Sequence, residues 1–330
     1  MLNDPGERPR RGGQVLQPER GGLVIVDKPA GLTSHDIVAR VRRLAGTRRV
    51  GHGGTLDPMA TGLLVVGIGR ATRLLGHLAL HDKDYAATIR LGQTTSTDDA
   101  QGQVLDAAST ESVTEAAVAA AVAAFVGEIE QRPPAVSAIK VDGKRAYKRV
   151  RAGEDVVLAT RKVTVSRFEV GEFRRPAAVE FRRPAAVEFR RPAEGSDVDL
   201  PWLDFDALVT CSSGTYIRAL ARDVGEALGV GGHLAALRRT RVGAFDLTVA
   251  RTLAELEVDF TMTSLDDAAA TAFTRRDLDA DEALSLSHGG KLATSGLGDE
   301  PVAAFGPDGE LIALLEDRGG VARALAVFVG

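Results

Sequence analysis

The chain has 330 residues, 44% of them hydrophobic and 26% charged, with a formal net charge of −4. That length exceeds the usual single domain, so one large domain plus a small appendage is expected. Cys211 is the sole cysteine, which excludes an intrachain disulfide framework and a thiolate metal cluster and fits a reducing cytoplasm; no apolar run approaches bilayer-spanning length.

Met1 to Arg20 is polar and lacks the hydrophobic stretch of a signal peptide, so residues 1–20 read as a disordered tail. Gly22 to Val26 reads as a buried strand. Thr33-Ser34 can cap a helix whose Ile37, Val38, Val41 and Leu44 share one face, with Arg42, Arg43, Arg48 and Arg49 at its end. Leu63 to Ile68 is a second short apolar strand, which leaves Gly51 to Gly62 as a loop. Tyr85 to Leu91 is another strand; Ser112-Val-Thr-Glu115 reads as a capping box for an Ala-rich helix that Gly127 ends, and Pro133-Pro134 breaks the chain.

Val163, Val165, Phe168 and Val170 mark a half-buried strand and Leu203 to Cys211 another; Thr215 can cap a helix running to Leu228. Strands and helices without regular βαβ alternation point to an α+β fold. Between those two strands lies a tandem octapeptide, Phe173-Arg-Arg-Pro-Ala-Ala-Val-Glu180, repeated at Phe181 to Glu188 and begun again at Phe189 to Ala193. Copies this short cannot form a solenoid and read as a repeat-expanded surface loop, 173–193. From about residue 278, Val302 to Phe305, Gly309 to Leu315 and Ala322 to Val329 look like the strands of a small β-rich unit.

The charge is unevenly spread. Residues 1–80 hold twelve Lys/Arg against six Asp/Glu, whereas 251–330 hold six against fifteen. Screening limits phosphate attraction to about 10 Å or less, so local basic patches decide it and RNA binding stays open for the first three quarters of the chain. Arg40, Arg42, Arg43, Arg48, Arg49, Lys144, Arg145, Lys148, Arg149, Arg151, Arg238, Arg239 and Arg241 are the candidate phosphate contacts.

Two stretches can carry chemistry. Gly51-His-Gly-Gly-Thr-Leu-Asp-Pro-Met-Ala-Thr-Gly62 joins four glycines to a carboxylate followed by proline, a loop able to approach a substrate closely and to hold Asp57 rigidly. It also fits a tight turn in which Asp57 is a local hydrogen-bond acceptor. Cys211-Ser-Ser-Gly-Thr-Tyr-Ile-Arg218 passes from a strand end to a helix N-terminus, where the helix dipole opposes Arg218 and a carboxylate would answer it. No His, Cys or Glu grouping has metal-ligand spacing, and no metal or cofactor is expected.

Together these stretches resemble the bacterial TruB-type tRNA pseudouridine synthases, which modify uridine 55 of the T-loop. The resemblance rests on Gly22-Leu-Val-Ile-Val-Asp-Lys-Pro29 with Thr33-Ser34, Gly51 to Gly62, Asp84-Tyr85, Gly92-Gln93 with Asp98-Asp99, Ser137-Ala-Ile-Lys140, Gly143 with Tyr147, Gly214 to Arg218, and His233 with Leu237-Arg-Arg239. These landmarks occur in family order over residues 22–250. Val136, where many relatives carry an aromatic, and the octapeptide insertion are departures that remove no catalytic group.

The resemblance implies a catalytic domain at 21–270 with a mixed, largely antiparallel sheet, and a β-rich PUA-like domain at 278–330. It implies Asp57 as nucleophile at C1′ or C6, Arg218 as its ion-pair partner, and Tyr85 as the aromatic under the flipped uracil and a candidate for the late proton transfer. Tyr216 and Leu237 would line the same pocket with Lys28 near it, Asp99 would sit by the flipped bases, and His52 would stack where T-loop nucleotides leave the helix. The partner is then the T-loop and T-stem of tRNA, with no membrane and no protein partner, for a cytoplasmic monomer. An RNA-guided synthase shares the Asp loop, and activity on bare tRNA separates the two. A tRNA-binding chaperone without catalysis is the non-enzymatic alternative, disfavoured because a binder has little use for a costly buried ion pair.

Overall fold

The computed structural model describes residues 20–135, 140–141, 144–145, 158–175 and 201–329. The motif elements Ser137 to Ile139, Gly143 and Tyr147, the basic residues Lys148, Arg149 and Arg151, most of the octapeptide repeat and the 1–19 part of the tail lie outside the described residues.

The apolar run near the start becomes β1 (Gly21–Lys28), buried on both faces, and α1 (Ser34–Ala45) follows. Thr33 caps α1 in a reciprocal box with Asp36, and Gly46 closes it in the left-handed conformation. Gly51 to Gly62 is not loop throughout: β2 (Val50–Gly53) pairs with β3 (Thr61–Gly69), so the true loop is 54–60. The strand periodicity escaped the sequence because glycine occupies three of the four positions from 51 to 54.

After a short helical turn α2 (Leu75–Leu78), β4 (Lys83–Leu91) alternates strictly between buried and half-exposed residues. A small hairpin, β5 (Gln93–Thr95) with β6 (Val104–Ala107), precedes α3 (Glu115–Ala123), which is capped by Thr114 through Ala117 N–H rather than by Ser112. Gly127 opens β7 (Gly127–Gln131) instead of ending the helix. Beyond a two-residue ladder, β8 (Lys140–Val141) with β9 (Lys144–Arg145), the long β10 (Arg161–Arg174) pairs with β11 (Leu203–Cys211). Its apolar positions switch from odd to even after Val165, and the ladder carries a register shift between Val165 and Arg167 that keeps Phe168 and Val170 facing the core.

Helix α4 (Ile217–Ala227) and β12 (Gly232–Val242) complete the site-bearing elements, and the two-residue strands β13 (Phe245–Asp246) and β14 (Thr263–Ser264) close the sheet. The strand order is β14-β1-β3-β12-β4-β11-β10-β7, with β2 on β3 and β13 on β12. Every pairing is antiparallel except β12 with β3. This mixed sheet with helices α3 and α4 on one side is the expected α+β architecture.

Short helices α5 (Leu253–Val258), α6 (Leu265–Ala272) and α7 (Ala280–Ser287) lead into a second sheet. It comprises β15 (Thr274–Asp277), β16 (Leu292–Ala293), β17 (Val302–Phe305), β18 (Leu311–Arg318) and β19 (Val321–Val327), in the order β15-β17-β18-β19-β16. The second sheet starts at Thr274. It shares one apolar core with the first: Phe305, Leu311 and Phe328 pack with Leu23, Leu63 and Leu74. Arg70 and Arg73 donate to the carbonyls of Phe328 and Val327, and Arg20 bridges Asp266 and Glu310. Among the described residues no helix is long and apolar enough to cross a membrane.

Candidate active site

The loop after β2 is fixed from three directions before its carboxylate is considered. Gly54 and Gly62 take φ of +93° and +95°, and a Cβ at Gly62 would meet the Arg239 carbonyl at 2.2 Å, so only glycine lets β3 pass β12 this closely. The buried Ser34 hydroxyl accepts from Leu56 N–H at 2.9 Å and sits 3.2 Å from its carbonyl. Arg239, 1% exposed, donates to the carbonyls of Leu63 and Gly54.

Lys28 supplies the third restraint. Expected beside the substrate, it is fully buried, and its ammonium donates to the carbonyls of Leu32 at 2.7 Å, Pro29 at 2.9 Å and Pro58 at 3.3 Å. All three donors are spent on backbone, one of them on the residue next to Asp57. Burial pulls the Lys28 pKa down to about 8, against the attraction of Asp57.

Asp57 meets Arg218, the partner that the family resemblance implies for it. Arg218 Nη2 donates to Asp57 Oδ1 at 3.1 Å and Nε lies 3.0 Å from Oδ2, so one hydrogen bond and a second close charge contact hold the carboxylate against the guanidinium. The Arg218 side chain is 5% exposed and that of Asp57 33%, so the guanidinium is enclosed while the carboxylate stays open to an incoming group. Burial pushes the Asp57 pKa up, Arg218 and Lys28 pull it down, and nearby Asp99 pushes it up again.

Arg218 is positioned in turn. Its Nη1 donates to the Thr97 carbonyl at 2.9 Å and lies 3.3 Å from Asp99 Oδ2, while Asp99 itself accepts from Thr97 Oγ1 and Gln101 N–H. The helix start differs from the expectation: the N-cap is Tyr216, with no side-chain cap, and the Thr215 hydroxyl instead donates to the Ser212 carbonyl. Gln131, wholly buried, instead grips the residue before the helix, its Oε1 accepting from Tyr216 N–H at 2.7 Å and its Nε2 donating to the Tyr216 carbonyl at 3.0 Å.

Tyr85 stands on β4 directly opposite Arg239, and together with Leu237, Leu56 and Ala60 it belongs to the core cluster that includes Ile217 beside Arg218. Burial raises the Tyr85 phenol pKa, opposed by Arg239. Tyr216 is half-buried with the Arg161 guanidinium 5.1 Å from its ring centroid. His52 lies on β2, its ring edge-on to His35 at 5.5 Å, and burial lowers its pKa. The structure thus gathers Asp57, Tyr85, Arg218, Asp99 and Leu237, with Tyr216 at the start of the helix that carries Arg218 and His52 five residues up the chain from Asp57. Sequence reading missed Gln131, Ser34 and Arg239. Ser34 and Arg239 lay in motifs it had singled out, but as part of a helix cap and as a phosphate contact and not as backbone clamps; a buried glutamine gripping backbone leaves no spacing signal.

An Arg–Asp pair on a glycine-bounded loop thus stands beside a buried tyrosine and leucine on a mixed, largely antiparallel sheet. Family models match the chain over this region and beyond it: residues 42–217 match the TruB family pseudouridylate synthase N-terminal domain, 218–284 the tRNA pseudouridylate synthase B C-terminal domain, and 273–329 the tRNA pseudouridine synthase II C-terminal domain. The chain belongs to the TruB family. It is 56% identical over 311 residues to the tRNA pseudouridine synthase B of Thermobifida fusca, covering 93% of this chain and 98% of that relative. A protein of the same name from Arthrobacter sp. strain FB24 is 55% identical over 316 residues, covering 93% and 96%. Among solved structures, a chain of a Cbf5-Nop10-Gar1 complex superposes with a TM-score of 0.66 at 25% identity, covering 94% of this chain and 86% of that one.

Proposed function

We propose that this chain is a stand-alone tRNA pseudouridine synthase, with uridine 55 of the T-loop as its target and Asp57 as its nucleophile. The observation that carries this reading is the Arg218–Asp57 ion pair, in a chain more than half identical to bacterial proteins named for tRNA pseudouridylation. The reaction breaks the C1′–N1 bond and joins C1′ to C5. The proton on C5 is lost and N1 gains one, so atoms and electrons balance without a redox partner. A carboxylate that adds to C1′ or to ring C6 holds the fragments while uracil turns.

In this scheme Arg218 keeps Asp57 ionised and aimed. The target base must leave its stack, at a cost of a few kcal/mol, and enter the space between Tyr85, Tyr216 and Leu237. Tyr85 stacks on it and is placed for the late proton transfer. Asp99 acts through Arg218, and Lys28 acts through the Pro58 carbonyl, so both are positioning residues. His52 occupies the place vacated by everted T-loop nucleotides.

The test is incubation of the pure protein with unmodified tRNA, without added metal or cofactor, followed by mapping of pseudouridine through its alkali-stable carbodiimide adduct. A single adduct at position 55 is the expected result. Product that appears only with an added guide RNA would instead favour the RNA-guided reading.

A further inference from the structure

Next to the Asp57–Arg218 pair stands a second ion pair built on a strained backbone. Asp98 is the one described non-glycine residue with positive φ, +57°. Left-handed backbone is disfavoured for any residue bearing a Cβ, and it persists where the surroundings over-determine it. Here they do. Asp98 N–H donates to the Thr95 carbonyl, its own carbonyl accepts from Leu234 N–H at 3.0 Å, and its carboxylate accepts from Arg222 Nη1 at 3.0 Å. Arg222 is itself tied down, donating to the Arg132 carbonyl at 2.8 Å and to Asp223 Oδ1 at 2.8 Å.

The geometry has a direct bearing on Arg218. Residues 218 and 222 lie one turn apart on α4 and therefore on one face. Thr97 and Asp99 hold Arg218, and Asp98 between them is turned by its left-handed φ toward Arg222. Three consecutive residues thus address two arginines of one helix in alternation. If residue 98 relaxed to negative φ, its neighbours would rotate off Arg218.

We infer that the Asp98–Arg222 ion pair is a positioning device for the reaction, locking the 97–99 turn against α4 so that Arg218 is aimed at Asp57. The inference rests on the functional reading above, in which Arg218 aims an ionised Asp57. Neither residue touches the reacting groups, so their effect is on turnover and its pH dependence and not on tRNA affinity.

The test is single-turnover pseudouridine formation by Asp98→Gly, Asp98→Asn, Arg222→Met, Arg222→Lys and the double Asp98→Asn/Arg222→Met, at pH 6, 7 and 8. Glycine accepts φ of +57° freely, so Asp98→Gly removes the ion pair and leaves the turn unstrained; asparagine keeps shape and tolerance of this backbone without the charge. At pH 7 the expected loss is roughly 10- to 100-fold for Asp98→Gly and Arg222→Met, the scale of an ångström-size misplacement, with tRNA affinity changed only a few-fold. A loosened Arg218 lets the Asp57 pKa rise, so the loss is larger at pH 6 than at pH 8. Arg222→Lys recovers part of the rate, and the double variant is no worse than the poorer single one. Full rate in Asp98→Gly and Arg222→Met, or a loss of equal size at pH 6 and pH 8, would overturn the inference. Absence of pseudouridine with the unaltered protein would overturn the functional reading instead.

Discussion

Arg218→Met is the sharpest perturbation, because it removes one charge from a site whose other charges stay in place. At 3.0 Å two unit charges attract by about 5–6 kcal/mol at an effective dielectric of about 20. Desolvation offsets much of that, and breaking a buried pair typically costs about 3–5 kcal/mol. A third of the Asp57 side chain remains open to water, which places the cost at the lower end. With roughly 1.4 kcal/mol per factor of ten, turnover should fall about 100-fold or more.

The pH profile adds a sign. Burial and Asp99 both push the Asp57 pKa up, and Arg218 is the largest influence holding it down. Only the ionised carboxylate is a nucleophile, so rate rises with pH through the Asp57 pKa; without Arg218 that rise moves to higher pH. The assay is release of tritium from 5-tritiated uridine in tRNA, since the C5 hydrogen leaves as the new bond forms, read in single turnover from pH 5 to 9. Lysine should rescue only in part, because a point charge cannot reproduce the guanidinium fork. A near-normal rate in Arg218→Met, or an acid limb that does not move, would refute the reasoning.

Asp57→Asn should abolish product while tRNA affinity stays within a few-fold, measured by filter binding, because the amide keeps the shape but cannot form the covalent intermediate. Lys28→Met leaves the carbonyls of Pro29, Leu32 and Pro58 without their buried donor, at roughly 1–3 kcal/mol, so melting temperature and single-turnover rate should drop together. Removing 181–188 should change rate and affinity only a few-fold, since Phe173 against Phe205, Arg174 on Asp206 and Arg175 on Thr110 all remain; a loss of affinity with a shallower salt dependence would show that the repeat contacts phosphates. Truncation after residue 272 would expose Leu23, Leu63 and Leu74, and should yield aggregated protein in size-exclusion chromatography instead of an active shortened enzyme.

The legible parts of this molecule are those in which chemistry is written locally. Thr33 and Asp36 make a capping box within four residues, and the alternation of β4 and β11 is visible in either strand alone. The Asp57 and Arg218 motifs were legible as candidates, and family resemblance paired them. What sequence could not give was long-range backbone capture. Nothing local to Lys28 announces the three carbonyls that the fold closes around it, and nothing local to Gln131 announces Tyr216, 85 residues away. The uncapped start of α4 has the same origin: the Thr215 hydroxyl turns back to the Ser212 carbonyl, and Gln131 from β7 holds the backbone of Tyr216.

Strand order explains why these distant pieces form one site. β3 and β4 are consecutive large-sheet strands in the chain, yet they do not pair; β12, some 150 residues later, lies between them. It runs parallel to β3 through Arg238 opposite Thr61, and antiparallel to β4 through Arg239 opposite Tyr85. That insertion sets Leu237 and Arg239 between the end of the Asp57 loop on one side and Tyr85 on the other. The helix preceding β12 is α4, so the same insertion delivers Arg218 to Asp57. Each half is better placed with the other than without it: Arg218 sits against the dipole of its own helix, and burial raises the Asp57 pKa while Arg218 lowers it. The ion pair therefore depends on α4 and β12 docking as a unit, which ties it to the insertion of β12 between β3 and β4.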